Sequence, residues 1–321
     1  MRPRALVLAP MRGPAWARLR ELADVIYEPV LPRRPFRTQP AKELAARLAA
    51  EHARILITEA DEVNGPVLDL PLMVIGCTRP EPVNVDVAAA TARGIPVLCA
   101  PGRDADGVAE LTLALLLAVG RRLLVADRDA RTGRAHEERE PHRSWELAGR
   151  TFGIVGSGPS VRAVTWRVKG LGMRVIAHGP DSPKGRHGLD RLLAEADVVS
   201  VHGAGGSLVD TGAGTIMGAA EFAAMKPGSI FINTGRADLH DMDALTGALK
   251  AGHLGGAALD HAPEEPDHPL AGMDNVLLTP RIGDATYDTE VNHTRMICGD
   301  IVRLLGGEPP LHCVNPEVLR A

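Results

Sequence analysis

The chain has 321 residues, 45% of them hydrophobic and 24% charged, and a formal net charge of -4. That suits two globular domains and excludes a disordered chain. With no basic block it lacks the clustered Lys and Arg that neutralise phosphates, so no nucleic-acid partner is expected. The main apolar run, Leu113–Val119, is too short for a bilayer, and the start Met1-Arg2-Pro3-Arg4 has no leader pattern. No membrane partner and a cytoplasmic location are therefore expected. Four scattered cysteines without a CxxC spacing read as free thiols of a reducing compartment, and no metal site is expected.

The first hundred residues alternate short apolar runs with helical patterns. Ala5–Leu8, Val25–Tyr27, Ile55–Ile57, Leu72–Ile75 and Val97–Leu98 read as strands. Arg18–Leu22, Ala41–Ala50 and Val85–Ala92 read as helices, and Pro29–Pro40 as a loop. This alternation predicts a parallel sheet with crossover helices. A long helical pattern then runs from about Asp104 to Arg131, as if connecting two domains, followed by a polar segment over 135–150. A second series has strands at Phe152–Val155, Arg174–Ala177, Val198–Val201, Ile230–Ile232, Ala257–Leu259 and Val276–Leu278. It ends in a helical pattern over Thr286–Leu305. Gly203–Gly218 is a Gly-rich and Ala-rich patch.

The second series opens on Gly156-Ser157-Gly158-Pro159-Ser160-Val161, between a strand and the helical pattern Arg162–Leu171. Gly156 permits a tight turn, and Gly158 lets a pyrophosphate approach the backbone N–H groups at the helix start. A plain turn that happens to hold glycines is the bland alternative. The context favours a dinucleotide site. Two features depart from the usual fingerprint. The third glycine is Val161. The next strand runs into His178-Gly179-Pro180, where an acidic residue for the ribose hydroxyls would stand. Without that acid, a 2′-phosphate has no evident reason to be rejected. NAD or NADP is therefore expected, NAD being favoured.

Several ordered blocks together resemble the D-isomer-specific 2-hydroxyacid dehydrogenases. They are Asn84-Val85-Asp86, Ala92–Val97, Pro101-Gly102, Val108-Ala109-Glu110, the Gly-rich turn, Ala196–His202, Met225–Arg236, Ala257–Asp260 with Glu265-Pro266, and Asn275–Pro280. The resemblance implies an α/β architecture in which a Rossmann dinucleotide-binding domain (102–285) is inserted into a flavodoxin-like parallel-sheet substrate domain (1–101 plus 286–321). It implies an active site in the cleft between them and a homodimer built partly on the helix after Pro101. It also implies cofactor contacts from Gly156, Ser157, Gly158, Pro159, Ser160, His178, Gly179, His202, Thr234 and Asp260.

In that family an Arg holds the substrate carboxylate, a His gives the proton and a Glu orients the His. Arg236 and Glu265 match the Arg and Glu positions. The His position, after Thr279-Pro280, holds Arg281. A guanidinium is a very poor proton donor near neutral pH. Arg281 is open to three roles: stabilising an oxyanion, binding a second anionic group of a small anionic substrate, or pairing with Glu265 and silencing the site. His261 is the best candidate for a replacement donor, with His240 and His268 as packing or surface histidines. The substrate loop departs too. Arg79-Pro80-Glu81 stands where relatives present a Gly-rich nest to the substrate carboxylate; proline has no N–H, and Glu81 adds a negative charge.

Three functions stay open: an NAD(P)-dependent oxidoreductase for an unusual 2-oxo or 2-hydroxy acid, a catalytically impaired dimeric nucleotide-binding homologue, and a non-standard reaction in the same cleft.

Overall fold

A computed structural model describes residues 2–29, 38–134, 142–179, 185–203, 215–263, 265 and 267–320. The chain divides into two units, Met1–Arg103 with Tyr287–Ala321, and Asp104–Thr286. Among the described residues no helix is long and apolar enough to cross a membrane.

The first unit carries β1 (Arg4–Val7), α1 (Pro14–Leu22), β2 (Asp24–Tyr27), α2 (Ala41–Ala50), β3 (Ile55–Thr58), β4 (Val74–Cys77), α3 (Val87–Ala92) and β5 (Val97–Leu98). Its sheet is parallel, in the order β2-β1-β3-β4-β5, which is the flavodoxin-like winding. The period-2 alternation of the strands explains why both faces are covered. Leu6 and Leu56 point into one apolar cluster, while Ala5, Val7, Ile55 and Ile57 point into the other. In α2 the buried residues are Ala41, Leu44, Ala45 and Leu48, the stripe that a 3.6-residue period puts on one face.

The second unit begins with α4 (Ala105–Gly120) and α5 (Leu123–Arg131). The sequence predicts one helix here. The chain instead breaks at Arg121–Arg122, where Arg122 takes a left-handed φ of 53°. Gly120 and two arginines separate the apolar runs, so the chain can turn without exposing core residues.

The rest is β6 (Thr151–Gly156), α6 (Pro159–Gly170), β7 (Arg174–His178), α7 (Gly185–Glu195), β8 (Val198–His202), α8 (Ala219–Ala224), β9 (Ile230–Asn233), α9 (Met242–Lys250), β10 (Gly256–Leu259) and β11 (Val276–Leu278). This sheet is also parallel, in the order β7-β6-β8-β9-β10-β11. It is a Rossmann-type unit in which, among the described residues, no strand lies outside β7. The winding reverses between β6 and β8, and the carboxyl ends of strands at such a reversal are where this fold binds ligands. The last helix, α10 (Tyr287–Leu305), returns to the first unit and buries Ile297, Cys298 and Ile301 against its sheet.

The loop expectations for Pro29–Pro40 and Gly203–Gly218 fall largely outside the described residues, as does residue 180 after Gly179.

Candidate active site

The Gly-rich turn sits at the winding reversal. Gly156 pairs with His202 at the ends of β6 and β8, and a Cβ built on Gly156 would overlap the His202 carbonyl oxygen. Glycine is thus required by the approach of the two strands and by a φ of 138°. Gly158 has a φ of 96° and open space where a Cβ would stand. It is the N-cap of α6 but supplies no side-chain cap, and Pro159 at the first helical position has no N–H to lose. Among the described residues no side chain caps the first turn, which includes the Ser160 N–H. This arrangement fits a pyrophosphate. Val161, the residue in place of the third glycine, is half-buried against the cluster that α6 shares with β6. Close approach is found instead at Gly153, where a Cβ would crowd Leu192 and Ala196.

At the end of β7, His178 is half-buried. Burial lowers its pKa below the usual 6.5, with Asp190 acting in the opposite sense, and among the described residues its Nδ1 is buried without a partner. Gly179 lies against the turn itself: a Cβ there would overlap the Gly156 carbonyl oxygen.

The resemblance implies cofactor contacts from His202 and Thr234. In the structure both side chains belong to an internal hydrogen-bond chain. Thr112 Oγ1 donates to the Val108 carbonyl at 2.7 Å, so it accepts from Thr234 Oγ1 at 3.1 Å. Thr234 must then accept from His202 Nδ1 at 3.2 Å, and His202 Nε2 accepts from Ser200 Oγ at 2.8 Å. The network assigns the tautomer. Burial brings His202 down to about 4, so it stays neutral. Its contribution to the turn is the backbone carbonyl that faces Gly156.

Asn233 ends β9 and builds the next turn. Its Oδ1 accepts from Gly235 N–H at 2.8 Å, and its Nδ2 donates to the Arg236 carbonyl at 2.9 Å and to His240 Nδ1 at 3.0 Å. Sequence reasoning passed over this Asn as a functional residue, although Asn followed two residues later by Gly is a known turn-former. Arg236 is exposed and grips Asp238 through Nε at 2.9 Å and through a second, shorter bond. Hydrogen bonding and charge raise the pKa of Arg236 and lower that of Asp238. Asp238 thus occupies the guanidinium fork that the family resemblance assigns to a substrate carboxylate, another residue the sequence reading overlooked.

Asp260, at the end of β10, is buried. Its Oδ1 accepts from Thr279 Oγ1 at 2.7 Å and from Ile282 N–H at 2.8 Å, and its Oδ2 accepts from Gly283 N–H at 2.8 Å. Expected as a cofactor contact, this carboxylate spends three of its roughly four acceptor positions on the turn after β11. That turn carries Arg281, exposed and at a left-handed φ of 57°. Among the described residues Arg281 has no ion pair, so the proposed Arg281–Glu265 bridge is not formed. Glu265 is itself exposed.

His261 also departs from expectation. Among the described residues both its ring nitrogens are buried without partners, as is Nε2 of His240, and the two rings lie 5.2 Å apart. Burial lowers the pKa of both, His240 to about 4. A sealed ring cannot hand a proton to a substrate, so neither replaces the missing histidine in this conformation.

In the first unit, the loop after β4 keeps the deficit read from sequence. Arg79 and Pro80 are half-buried and Glu81 is exposed. The Glu81 carbonyl is taken by Val83 N–H at 2.9 Å, and that of Arg79 by Ala100 N–H at 2.9 Å. Nearby in the same unit, buried Arg103 pairs with Glu59 at 2.9 Å and lies 3.2 Å from His293 Nδ1, while Glu59 Oε2 and Thr78 Oγ1 are buried without partners.

Comparison with known proteins places these features in a family. Residues 113–283 match the family described as D-isomer specific 2-hydroxyacid dehydrogenase, NAD binding domain. The chain is 35% identical over 294 residues to the D-3-phosphoglycerate dehydrogenase of Archaeoglobus fulgidus, covering 87% of this chain but only 54% of that protein. Thus the chain spans about half the length of that relative. It is 31% identical to the glyoxylate reductase of Thermofilum pendens, covering 99% of this chain and 96% of the relative. The crystal structure of a Thermus thermophilus protein superposes with a TM-score of 0.81 at 36% identity, covering 97% of this chain and 99% of that one.

Proposed function

The chain belongs to the D-isomer-specific 2-hydroxyacid dehydrogenase family, and from that premise we propose that it is an NAD(P)-dependent oxidoreductase interconverting a 2-oxo acid and a 2-hydroxy acid, with Arg281 in the general-acid position. The observation that carries this reading is the Asp260 knot. It spends three hydrogen bonds on presenting an exposed guanidinium, without an ion pair among the described residues, at a left-handed backbone position. Strain of that kind in a buried framework is a signature of functional turns.

In this reading the nicotinamide, when bound, supplies or takes the hydride. Gly156, Gly158 and the start of α6 hold the pyrophosphate. Arg236 releases Asp238 and holds the substrate carboxylate. Arg281 acts by charge alone, stabilising the developing alkoxide or a second anionic group. The proton on the new hydroxyl comes from water, because a guanidinium does not yield one near pH 7. The first unit serves as the substrate unit. Exposed Leu117, Leu123 and Leu124 on α4 and α5 support a face for a second copy of the chain. The test is turnover of NADH or NADPH by the purified chain with a broad panel of 2-oxo acids.

One observation favours a second reading, an impaired nucleotide-binding homologue: the ring nitrogens of His261 and Nε2 of His240 are sealed. That reading expects calorimetric nucleotide binding with no turnover on the same panel.

A further inference from the structure

Arg236 leaves the protein from a turn, and a long side chain is only as well placed as the backbone that carries it. One buried amide holds that backbone. Asn233 is fully buried at the end of β9. Its Oδ1 accepts from Gly235 N–H and its Nδ2 donates to the Arg236 carbonyl, so the amide clips both residues of the turn. The turn is tight: a Cβ on Gly235 would press on the Gly203 nitrogen at 2.8 Å and on Leu239 Cδ1 at 3.1 Å.

We propose that His240 is a positioning residue for Arg236: its ring accepts the second Nδ2 proton of Asn233 and so fixes the plane of the amide that sets the Arg236 backbone. The inference rests on the reading of Arg236 as the holder of the substrate carboxylate.

Three observations carry it. First, the direction of every bond is determined. Gly235 N–H can only donate, so the Asn233 oxygen faces it and Nδ2 faces the other way. Nδ2 lies 3.0 Å from His240 Nδ1, which must therefore accept. This contact comes from beyond the turn. It uses the second amide proton and restrains rotation about a soft side-chain torsion.

Second, the ring is in the state that this bond needs. Burial brings the His240 pKa down to about 4, with His261 acting in the same sense and Asp241 against it. The ring is then neutral near pH 7, with Nδ1 free to accept and the proton on Nε2.

Third, the ring is held at a cost. It sits between Phe231, at 5.4 Å, and His261, at 5.2 Å, and among the described residues its Nε2 is buried without a partner. An aliphatic side chain would fill this space without stranding a donor. The fold bears the loss at one nitrogen and gains the Asn233 contact at the other.

Hydrogen exchange at the Gly235 amide tests this without turnover. His240→Leu should speed that exchange roughly fivefold, the factor for about one lost hydrogen bond. His240→Asn, whose Oδ1 can stand in for Nδ1, should keep the protection. Unchanged Gly235 exchange in folded His240→Leu overturns the proposal. If His240→Leu does not fold, His240→Phe, which keeps the ring shape, takes its place.

Kinetics with a 2-oxo acid supply the second readout. Arg236 grips the carboxylate both before and during hydride transfer, so its misplacement in His240→Leu should raise KM about tenfold and leave kcat within about threefold. Loss of folded protein alone would lower kcat and leave KM unchanged, and that result overturns the proposal. His240→Asn should restore KM. In Arg236→Met, adding His240→Leu should raise KM no further; an additive rise would show that the histidine acts elsewhere. If Arg236→Met itself leaves KM unchanged, the reading of Arg236 fails, while the exchange result still decides whether His240 holds the turn.

Discussion

The carboxylate of Asp260 sets the backbone of Arg281 without pairing with its guanidinium: it binds the N–H groups of the next two residues, Ile282 and Gly283, both at 2.8 Å. The backbone around Arg281 is thereby fixed, and among the described residues its guanidinium has no ion pair. Removing the carboxylate strands these donors and the Thr279 hydroxyl. Asp260→Ala should cost about 2–4 kcal/mol of stability, the scale for orphaning buried polar groups. It should also lower activity. Urea unfolding checks the first outcome, and an unchanged midpoint would mean that the knot is dispensable.

Arg281 stands at a left-handed φ, a conformation histidine visits more readily than most residues. Arg281→His should therefore fold with little loss of stability. It should create or increase the reduction of simple 2-oxo acids such as glyoxylate, since it restores a group that can donate a proton. If the variant folds, binds nucleotide and shows no gain, the substrate loop at Arg79-Pro80-Glu81 is limiting instead.

The unaltered chain, lacking such a donor, should respond to acids in solution. Adding imidazole near pH 7 at constant ionic strength should raise its reduction rate in proportion to imidazolium concentration. Arg281→His should show little such response. Equal insensitivity in both proteins would argue that an internal donor has been overlooked.

In the proposed cycle Arg236 starts paired to Asp238, and both side chains are about half exposed. Exposed pairs are worth little, so Asp238→Asn should lower KM only a few-fold, about the factor expected for a surface ion pair. Its effect should fade at high salt. A rise in KM would show that Asp238 helps to orient Arg236 rather than competing for it.

Acid should destabilise the fold for a traceable reason. His202, His240 and His293 have pKa values lowered by burial from 6.5 to about 4. Between those values the unfolded chain binds more protons than the folded one. The stability is therefore complete above pH 6.5 and is lost as pH falls toward 4. Each histidine contributes a slope of up to about 1.4 kcal/mol per pH unit. Unfolding free energies at pH 7, 6 and 5 should fall with increasing steepness; flat values over that range would contradict the buried neutral state of these rings.

That both sheets are parallel was legible because every central strand is a short apolar run between turn residues, and parallel strands must bury both faces; their strand order was implied only by the family resemblance. The Gly156–Gly158 turn was legible for the same reason, its strand and helix flanking it directly in sequence. The break after Gly120 was harder to see, because the apolar periodicity runs on through α5 and only the backbone shows Arg122 to be left-handed. The fates of Asp260 and His261 depend on contacts with residues up to 23 positions away or on burial by other strands. Sequence spacing brought those residues near the site but could not say which of their atoms remain free. The same holds for Gly179, whose close approach to the Gly156 carbonyl, 23 residues earlier, is visible only in the structure.

The most direct test of the central claim is the oxidation of NADH and NADPH by the purified chain across a panel of 2-oxo acids that includes acids with a second anionic group. The account predicts turnover, fastest with the doubly anionic acids, and a rise in KM for those acids in Arg281→Met. No turnover with either cofactor across the panel, in a folded protein that binds nucleotide, would contradict it.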